Sequence, residues 1–362
     1  MPPFSHESSA MLSKLAFFYG LTLGGPAVLL VLGLARPQAV LRTQSDLVVV
    51  PVNVLEKKTG TPILGLEKTD FRLRIDGKLT AIAAFERGST ARAPYAIALV
   101  VDYWSLEGGD WRRAFATDNW RDWFGEMGAE DQFALVLAGE HQAQLLQDFT
   151  RRRELIAAAF QRLASQRFPK HPQPTKKRKE KSIQFDPQLV TAIGFAAAQV
   201  RTLEPRYVKQ IVVITEDVNL VRRADSDQAL RELEEQNIRV NVVRVKDLLA
   251  AMARSIQHKN AQLETRKERK RGEAFEDAVA ARYAAETGGI LVKSSSKDVA
   301  STVQRLFSAL DDGYVLFFRP PVDLTSGQTH SISVGVRSSD PPPGKLRIVY
   351  RRSFRAWALP KE

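Results

Sequence analysis

The chain has 362 residues, of which 44% are hydrophobic and 26% charged; this composition is ordinary for globular proteins, and the length suits two domains. It contains no cysteine, which excludes disulfides, thiolate nucleophiles and cysteine-based zinc sites. The formal net charge of +12 makes acidic partners such as nucleic acid or anionic lipid worth testing.

An apolar segment near the N-terminus predicts an export signal or a membrane anchor. Residues 15–35 (LAFFYGLTLGGPAVLLVLGLA) carry no charged side chain, follow Lys14 and end near small residues, as a secretory signal does at its cleavage point. The segment is also long enough to cross a bilayer uncleaved. We therefore expect residues 1–39 to be a signal peptide or anchor, and the rest of the chain to be extracytoplasmic, either secreted or periplasmic.

A β-rich segment is predicted over residues 40–92. LVVVPVNVLE (47–56), the alternating FRLRI (71–75) and LTAIAAF (79–85) are strand patterns, and Asp76-Gly77 predicts a tight turn between the last two. Because FRLRI alternates apolar and polar residues, one face should be buried and the other solvated. This is typical of a small antiparallel sheet.

The pattern changes over residues 93–312 to long apolar strands that alternate with helices. Strands are predicted at YAIALVVD, QFALVLA, QLLQDF, IVVITED and IRVNVVRV, and helices at 111–127, 151–166, 187–203 and 225–236. Residues 248–287 are predicted to be mostly helical and to end at Gly288-Gly289. Continuous apolar strands are buried on both faces. We therefore predict an α/β domain with a doubly wound, mostly parallel sheet.

The C-terminal residues 313–362 return to strand patterns, in YVLFFRP, HSISVGVR and LRIVYRR. Antiparallel strands at both ends of an α/β block would leave two half-sheets with exposed apolar faces. The economical architecture is a small β-sandwich built from both chain ends, with the α/β domain inserted into it.

Four segments of the sequence resemble a known family. They are LEKTDFRLRIDGK (66–78), LLQDFT (145–150), AAETGGI (284–290) and YVLFFRPP (314–321), the last followed by LRIVYRRSFRAW. In this order the chain resembles proteins related to the von Willebrand factor A (vWA) domain, of the secreted type found in Acidobacteria. The resemblance covers most of the chain after the N-terminal segment, and it implies a vWA-like, Rossmann-type fold for residues 93–312.

The vWA family typically binds a divalent ion at a metal-ion-dependent adhesion site, where Mg²⁺ is held by several oxygen ligands. The resemblance assigns the leading aspartate of the family's Asp-x-Ser-x-Ser loop to Asp102. The two serine positions are Trp104 and Leu106, neither of which offers an oxygen. The family's threonine position falls near Pro187 or Gln188, so that ligand is missing as well.

The third loop of the family site reads Ile214-Thr-Glu-Asp217, with Glu216 in the aspartate position. We expect the adhesion site to be degenerate and no cofactor to be required. An alternative stays open, in which Asp102, Ser105, Glu216 and Asp217 form a rearranged Mg²⁺ site together with water. Asp102 can also act structurally, since a carboxylate at a strand end often caps the following turn.

Three residues are the candidates for contact with a protein partner: Asp102, Trp104 and Ser105. Two roles are open for Trp104, which can pack over the former metal site or stand exposed as an anchor, because aromatic residues are enriched at binding hot spots.

Two basic runs form a second candidate surface. One is KHPQPTKKRKEK (170–181), inside a predicted loop at 168–183, and the other is RKERKR (266–271). The candidate polyanion ligands are Lys176, Lys177, Arg178, Lys179, Arg269, Lys270 and Arg271. Neither run is interleaved with aromatic residues that stack on bases, so we expect solvated charge rather than a nucleic-acid site.

The sequence contains no recognisable catalytic set. Its five histidines are scattered without zinc-ligand spacing, and neither a P-loop nor a G-x-S-x-G motif is present. An Asp102–Glu216 pair alone is weak support for acid–base chemistry. The leading hypothesis is a non-enzymatic, extracytoplasmic protein-binding or scaffold protein. Its alternatives are a polyanion or envelope-surface binder through the basic runs, and metal-dependent adhesion at Asp102; the oligomeric state stays open.

Overall fold

The structure is a computed structural model. It describes residues 47–88, 93–103, 128–139, 142–165, 188–204, 206–216, 221–246, 275–276, 278–295, 297–320, 328–337 and 342–355. The predicted signal or anchor (1–39), the helix at 111–127 and both basic runs lie outside these residues. In the described part of the chain, no helix has both the length and the apolar character needed to cross a bilayer.

Strands dominate the described residues. In chain order they are β1 (Val48–Glu56), β2 (Phe71–Ile75), β3 (Lys78–Thr80), β4 (Ala84–Arg87), β5 (Tyr95–Asp102), β6 (Gln132–Ala138), β7 (Ala143–Thr150), β8 (Val208–Thr215), β9 (Val221–Arg222), β10 (Arg239–Lys246), β11 (Phe275–Glu276), β12 (Leu291–Ser295), β13 (Tyr314–Phe318), β14 (Thr329–Val336), β15 (Leu346–Tyr350) and β16 (Ser353–Arg355). The helices are α1 (Arg153–Ser165), α2 (Gln188–Arg201), α3 (Arg223–Glu235), α4 (Val279–Thr287) and α5 (Val299–Asp311), with short 3₁₀ turns at Lys68–Asp70 and Pro343–Lys345.

The central sheet has six strands in the order β12-β10-β8-β5-β6-β7. β7 is antiparallel to β6, and the other neighbours are parallel. Numbered along the chain, the order is 3-2-1-4-5-6, the arrangement of doubly wound α/β sheets. The prediction of an α/β domain with a mostly parallel sheet is confirmed.

The strands of this sheet are apolar because both of its faces are buried. All eight residues of β5 are buried. One face of the sheet packs against α1 and α5, through side chains such as Phe160 and Phe307. The other face packs against α2, α3 and α4, through side chains such as Ile193 and Tyr283. A strand covered on both faces needs apolar side chains at every position, which explains the unbroken run Tyr95–Val101.

The two ends of the chain pair with each other in two four-stranded sheets, with the orders β15-β1-β13-β4 and β16-β14-β2-β3. We term the described residues within 47–88 and 313–355, which contain these strands, the terminal β region. The inner faces of both sheets contribute to one hydrophobic core, with Val50 and Leu316 from one sheet and Leu73 and Ile332 from the other. This core and the two cores of the central sheet consist of residues between 48 and 354, and residues 46–362 form one compact unit. We therefore expect residues 46–362 to fold without the first 45 residues.

Asn53 joins the terminal β region to the α/β domain. Its side chain is 2% exposed; Nδ2 donates to the carbonyl oxygen of Ala309 near the end of α5 (2.6 Å), and Oδ1 accepts from Arg239 at the start of β10 (3.2 Å). Arg351 adds a second contact by donating to Oδ1 of Asn237 (2.9 Å), just before β10. These contacts lie at the amino ends of the parallel strands, opposite their carboxyl ends.

Burial changes the acidity of the charged groups in this contact region. It lowers the pKa of Arg239 and of Arg351, and it raises the pKa of Glu234, whose carboxylate accepts a hydrogen bond from Ser353. Arg351 lies near Glu234 and Thr287 at the C-terminal ends of α3 and α4, where backbone carbonyls favour positive charge.

Two details of the predicted elements are wrong. The predicted strand LTAIAAF is split, because Lys78–Thr80 pairs in one sheet of the terminal β region and Ala84–Arg87 in the other. The predicted helix over 248–287 is interrupted, because Phe275–Glu276 pairs with Val221–Arg222 as a strand. Ala278 then takes a left-handed φ of 57° directly before α4 begins, a conformation that does not continue a helix.

The glycine pair that ends α4 generates a stability prediction. A Cβ at Gly289 would lie 1.8 Å from the carbonyl oxygen of Val240, so Gly289→Ala must displace the backbone of β10. We expect a loss of about 1–3 kcal/mol or more in the free energy of unfolding, measured by urea denaturation. Gly194→Ala is the control, because its Cβ would meet nothing within 4 Å on helix α2. It should stabilise the protein by about 0.5–1 kcal/mol; equal losses in both variants would contradict the prediction.

Candidate functional site

The candidate site lies at the carboxyl edge of the central sheet. Asp102 is the last residue of β5, Thr215 is the last residue of β8, and Glu216 follows it. Asp102 and Thr215 are fully buried, and Glu216 is 4% exposed. Ligands of open α/β sheets bind outside the carboxyl ends of the strands, so this edge is where a binding surface is expected.

Asp102 and Thr215 are joined by a hydrogen bond. The parallel register pairs Val101 with Ile214, which places the next residues of both strands side by side. The hydroxyl of Thr215 donates to Oδ2 of Asp102 at 2.5 Å. A buried carboxylate is costly without hydrogen-bond donors. The Thr215 hydroxyl therefore stabilises Asp102 at the end of the strand from within the protein.

Asp102 belongs to a row of residues that pair with one another across adjacent strands of the sheet. Asp102 pairs with Ala138 on one side, Thr215 pairs with Arg244 on the other, and Arg244 pairs with Lys293. Nε of Arg244 also donates to the backbone oxygen of Glu216, at 3.4 Å. Asp102 therefore shares its row with two cationic residues, Arg244 on β10 and Lys293 on β12, which lie two and three strands away from β5.

The structure places Asp102 and Glu216, which the family resemblance implies as site residues, at the same edge of the sheet. Trp104, Ser105 and Asp217 lie outside the described residues, and so do the seven candidate polyanion ligands. Sequence reasoning gave Thr215 and Arg244 no role. A signal was present for Thr215, because it ends the apolar pattern of β8 at the level where Asp102 ends that of β5. Arg244 carried no such signal, since Val245 continues its strand.

The metal ligands implied by the family resemblance can be compared with this geometry. Within the described ranges, no group of three or more histidine, aspartate or glutamate residues lies close enough to hold a metal ion. Asp102 directs one carboxylate oxygen to the Thr215 hydroxyl. The serine positions of the family motif are Trp104 and Leu106, which lack oxygen ligands. Of the four candidate ligands of a rearranged Mg²⁺ site, Asp102 and Glu216 lie within the described residues.

The bond between Thr215 and Asp102 can be tested directly. Thr215→Val keeps the side-chain shape but removes the hydroxyl donor, so we expect the free energy of unfolding to fall by about 1–3 kcal/mol. Thr215→Ser is the control, since it keeps the hydroxyl while losing one methyl group. Urea denaturation at neutral pH should rank the serine variant above the valine variant. The opposite rank would show that packing, rather than the hydrogen bond, governs this position.

Comparisons with known proteins give distant similarities. No protein-family model matches the chain, and no curated protein matches it. The VWA domain of SpRpn10 shares 11% identity with a TM-score of 0.35, covering 58% of this chain and 93% of its own. BatB from Bacteroides thetaiotaomicron shares 11% identity with a TM-score of 0.34, covering 59% and 98%. Proximal thread matrix protein 1 from the mussel byssus, with a zinc-occupied MIDAS motif, shares 8% identity with a TM-score of 0.38, covering 62% of this chain and 49% of its own.

Proposed function

We propose that residues 93–312 form a vWA-like protein-interaction domain and that the chain is a non-enzymatic, extracytoplasmic binding or scaffold protein. One observation carries the proposal: Asp102, Thr215 and Glu216 meet at the carboxyl edge of a doubly wound sheet, while the terminal β region bonds to the opposite end through Asn53 and Arg351. The resemblance of the four sequence segments supports the vWA-like assignment, and the apolar segment 15–35 supports export.

The pairing of strands from the two chain ends supports a domain organisation in which the α/β domain is an insertion. The two sheets of the terminal β region draw strands from residues 48–87 and from residues 314–355, and their inner faces share one core. We therefore infer one β-sandwich, built from residues 40–92 and 313–362, into which the α/β domain is inserted.

The partner surface is formed by the loop that follows Asp102. A buried hydrogen bond from Thr215 holds Asp102, the last residue of β5, at the carboxyl edge of the sheet. Trp104 and Ser105 are the first candidates for contact. A tryptophan at such a position fits an interaction anchor, because tryptophan is among the residues most enriched at binding hot spots.

Partner contact at this edge does not need a divalent ion. The donor set supports this part of the proposal, since Asp102 is already bonded to Thr215 and the cationic Arg244 lies in the same row. Mg²⁺ is bound by several oxygens acting together. Here the loop offers tryptophan and leucine in place of two hydroxyl groups.

The proposal predicts that a divalent ion does not stabilise the protein. Addition of Mg²⁺ or Mn²⁺ should leave the melting temperature within about 1 °C of its value in chelator, because only a ligand bound to the native state raises stability. Differential scanning fluorimetry measures this. A clear rise that disappears in both Asp102→Asn and Asp102→Ala would contradict the prediction and favour metal-dependent adhesion.

The proposal also predicts that a protein partner contacts position 104. A photo-crosslinking amino acid at position 104 should give a discrete protein adduct in envelope extracts, whereas the same group at position 201, an exposed site on α2, should not. Once the partner is identified, Trp104→Ala should weaken its affinity at least about 30-fold, as expected for a hot spot of about 2 kcal/mol. Equal adducts from both positions, or an unchanged affinity, would argue against this surface. Retention that depends only on the basic runs at 170–181 and 266–271 would favour the polyanion alternative.

A further inference from the structure

The positive charge of the chain is concentrated in the terminal β region. Its described residues, within 47–88 and 313–355, include 14 lysines and arginines but only 5 aspartates and glutamates, a net charge of +9. The whole chain has a net charge of +12. The terminal β region is therefore strongly cationic, while the rest of the chain is nearly balanced.

Part of this charge lies on the outer face of the sheet β16-β14-β2-β3. In β2, Phe71, Leu73 and Ile75 point into the core, so Arg72 and Arg74 point outward and are exposed. The Cα atoms of residues two apart on one strand are separated by about 7 Å. Arg72 and Arg74 therefore form a cationic pair on the outer face of this sheet.

The neighbours of these arginines are small or apolar. Arg74 lies opposite Leu79 on β3 and opposite Ser333 on β14, and Arg72 lies opposite Gly335. Leu79 is 72% exposed, so an apolar side chain lies beside Arg74 on the solvent side of the sheet. We term Arg72, Arg74, Leu79, Ser333 and Gly335 the basic sheet face.

The acidic residue in the β2–β3 turn contacts β14. Oδ1 of Asp76 accepts hydrogen bonds from the backbone N–H and the hydroxyl of Ser331, at 2.8 and 3.1 Å, and Oδ2 contacts Nδ1 of His330 at 2.8 Å. These hydrogen bonds, with His330 first, lower the pKa of Asp76. Arg74 donates to the carbonyl oxygen of Gly77 at 3.1 Å. The described hydrogen bonds of Asp76 are thus made to β14, not to the two arginines.

We propose that the basic sheet face docks on a bilayer surface that carries anionic headgroups. Leu79 enters the headgroup region, and Arg72 and Arg74 bind lipid phosphates or carboxylates. The pairing of an exposed apolar side chain with basic residues is how peripheral proteins combine hydrophobic and electrostatic attraction at a membrane. The basic sheet face contains no aromatic residue for base stacking, which disfavours nucleic acid as the occupant.

The position of the apolar segment 15–35 in the sequence is compatible with a bilayer as the binding partner of the basic sheet face. Only twelve residues (36–47) separate the apolar segment 15–35 from β1. At 3.3–3.6 Å per residue, they span at most about 43 Å. If the apolar segment stays in the bilayer, it therefore holds the terminal β region close to the lipid surface. The proposal is independent of the proposed function, because the basic sheet face and Asp102 belong to different regions.

The test uses residues 46–362, which contain all three hydrophobic cores and form one compact unit. This protein should co-sediment with phosphatidylcholine vesicles that contain about 30% phosphatidylglycerol, but not with phosphatidylcholine alone, and binding should weaken as salt rises. Arg72→Gln with Arg74→Gln should reduce the vesicle partition coefficient about 25-fold, since each basic residue near the surface contributes a factor of about five. Leu79→Ser should weaken binding at every salt concentration.

Matched variants decide the outcome. Arg201→Gln with Arg231→Gln removes the same charge from exposed positions on α2 and α3 and should change the partition coefficient less than twofold. Arg72→Lys with Arg74→Lys should bind like the wild type, and a melting curve for each variant shows that it is folded. Equal losses in both glutamine pairs would overturn the proposal. So would tight binding to heparin without vesicle binding, or loss of vesicle binding on neutralising only the runs at 170–181 and 266–271.

Discussion

Burial of β5 on both faces and along both edges is the constraint on which the rest of the structure depends. The strand pairs with β6 and β8, and helices cover it on both sides. A strand in this position cannot slip by one residue without exchanging its two buried faces. Its register therefore holds Val101 beside Ile214, and this places Asp102 beside Thr215 at the carboxyl edge. The candidate site is thus a consequence of the core.

The opposite end of the same sheet has a structural role. Asn53 is almost fully buried and uses both ends of its amide, as donor to Ala309 and as acceptor from Arg239. Buried polar groups of this kind are costly when one partner is removed. They hold the terminal β region in one position against the amino ends of the strands. The two ends of the α/β domain are thereby separated, with attachment at one end and the candidate binding edge at the other.

The carboxyl edge, where we propose contact with a protein partner, contains a buried and hydrogen-bonded carboxylate. A carboxylate that accepts a short hydrogen bond from a buried hydroxyl is well stabilised, and cationic Arg244 and Lys293 lie in the same row of the sheet. The proposed membrane face uses a different feature, the net charge of +9 on the described terminal β region. In this view the terminal β region positions the chain at a lipid surface, and the carboxyl edge presents Trp104 to a partner.

The sequence by itself determined the mostly parallel sheet and the placement of Asp102 and Glu216 at its carboxyl edge, because unbroken apolar runs such as Tyr95–Val101 report burial on both faces. It did not show that LTAIAAF divides between two sheets or that Phe275–Glu276 is a strand, since both depend on pairing with distant residues. Only the tertiary structure decided the bonds from Thr215 to Asp102 and from Asn53 to Ala309, which join residues 113 and 256 positions apart. Local patterns record which side chains must be buried, whereas the partner of each buried polar group is decided when distant strands and helices come into register.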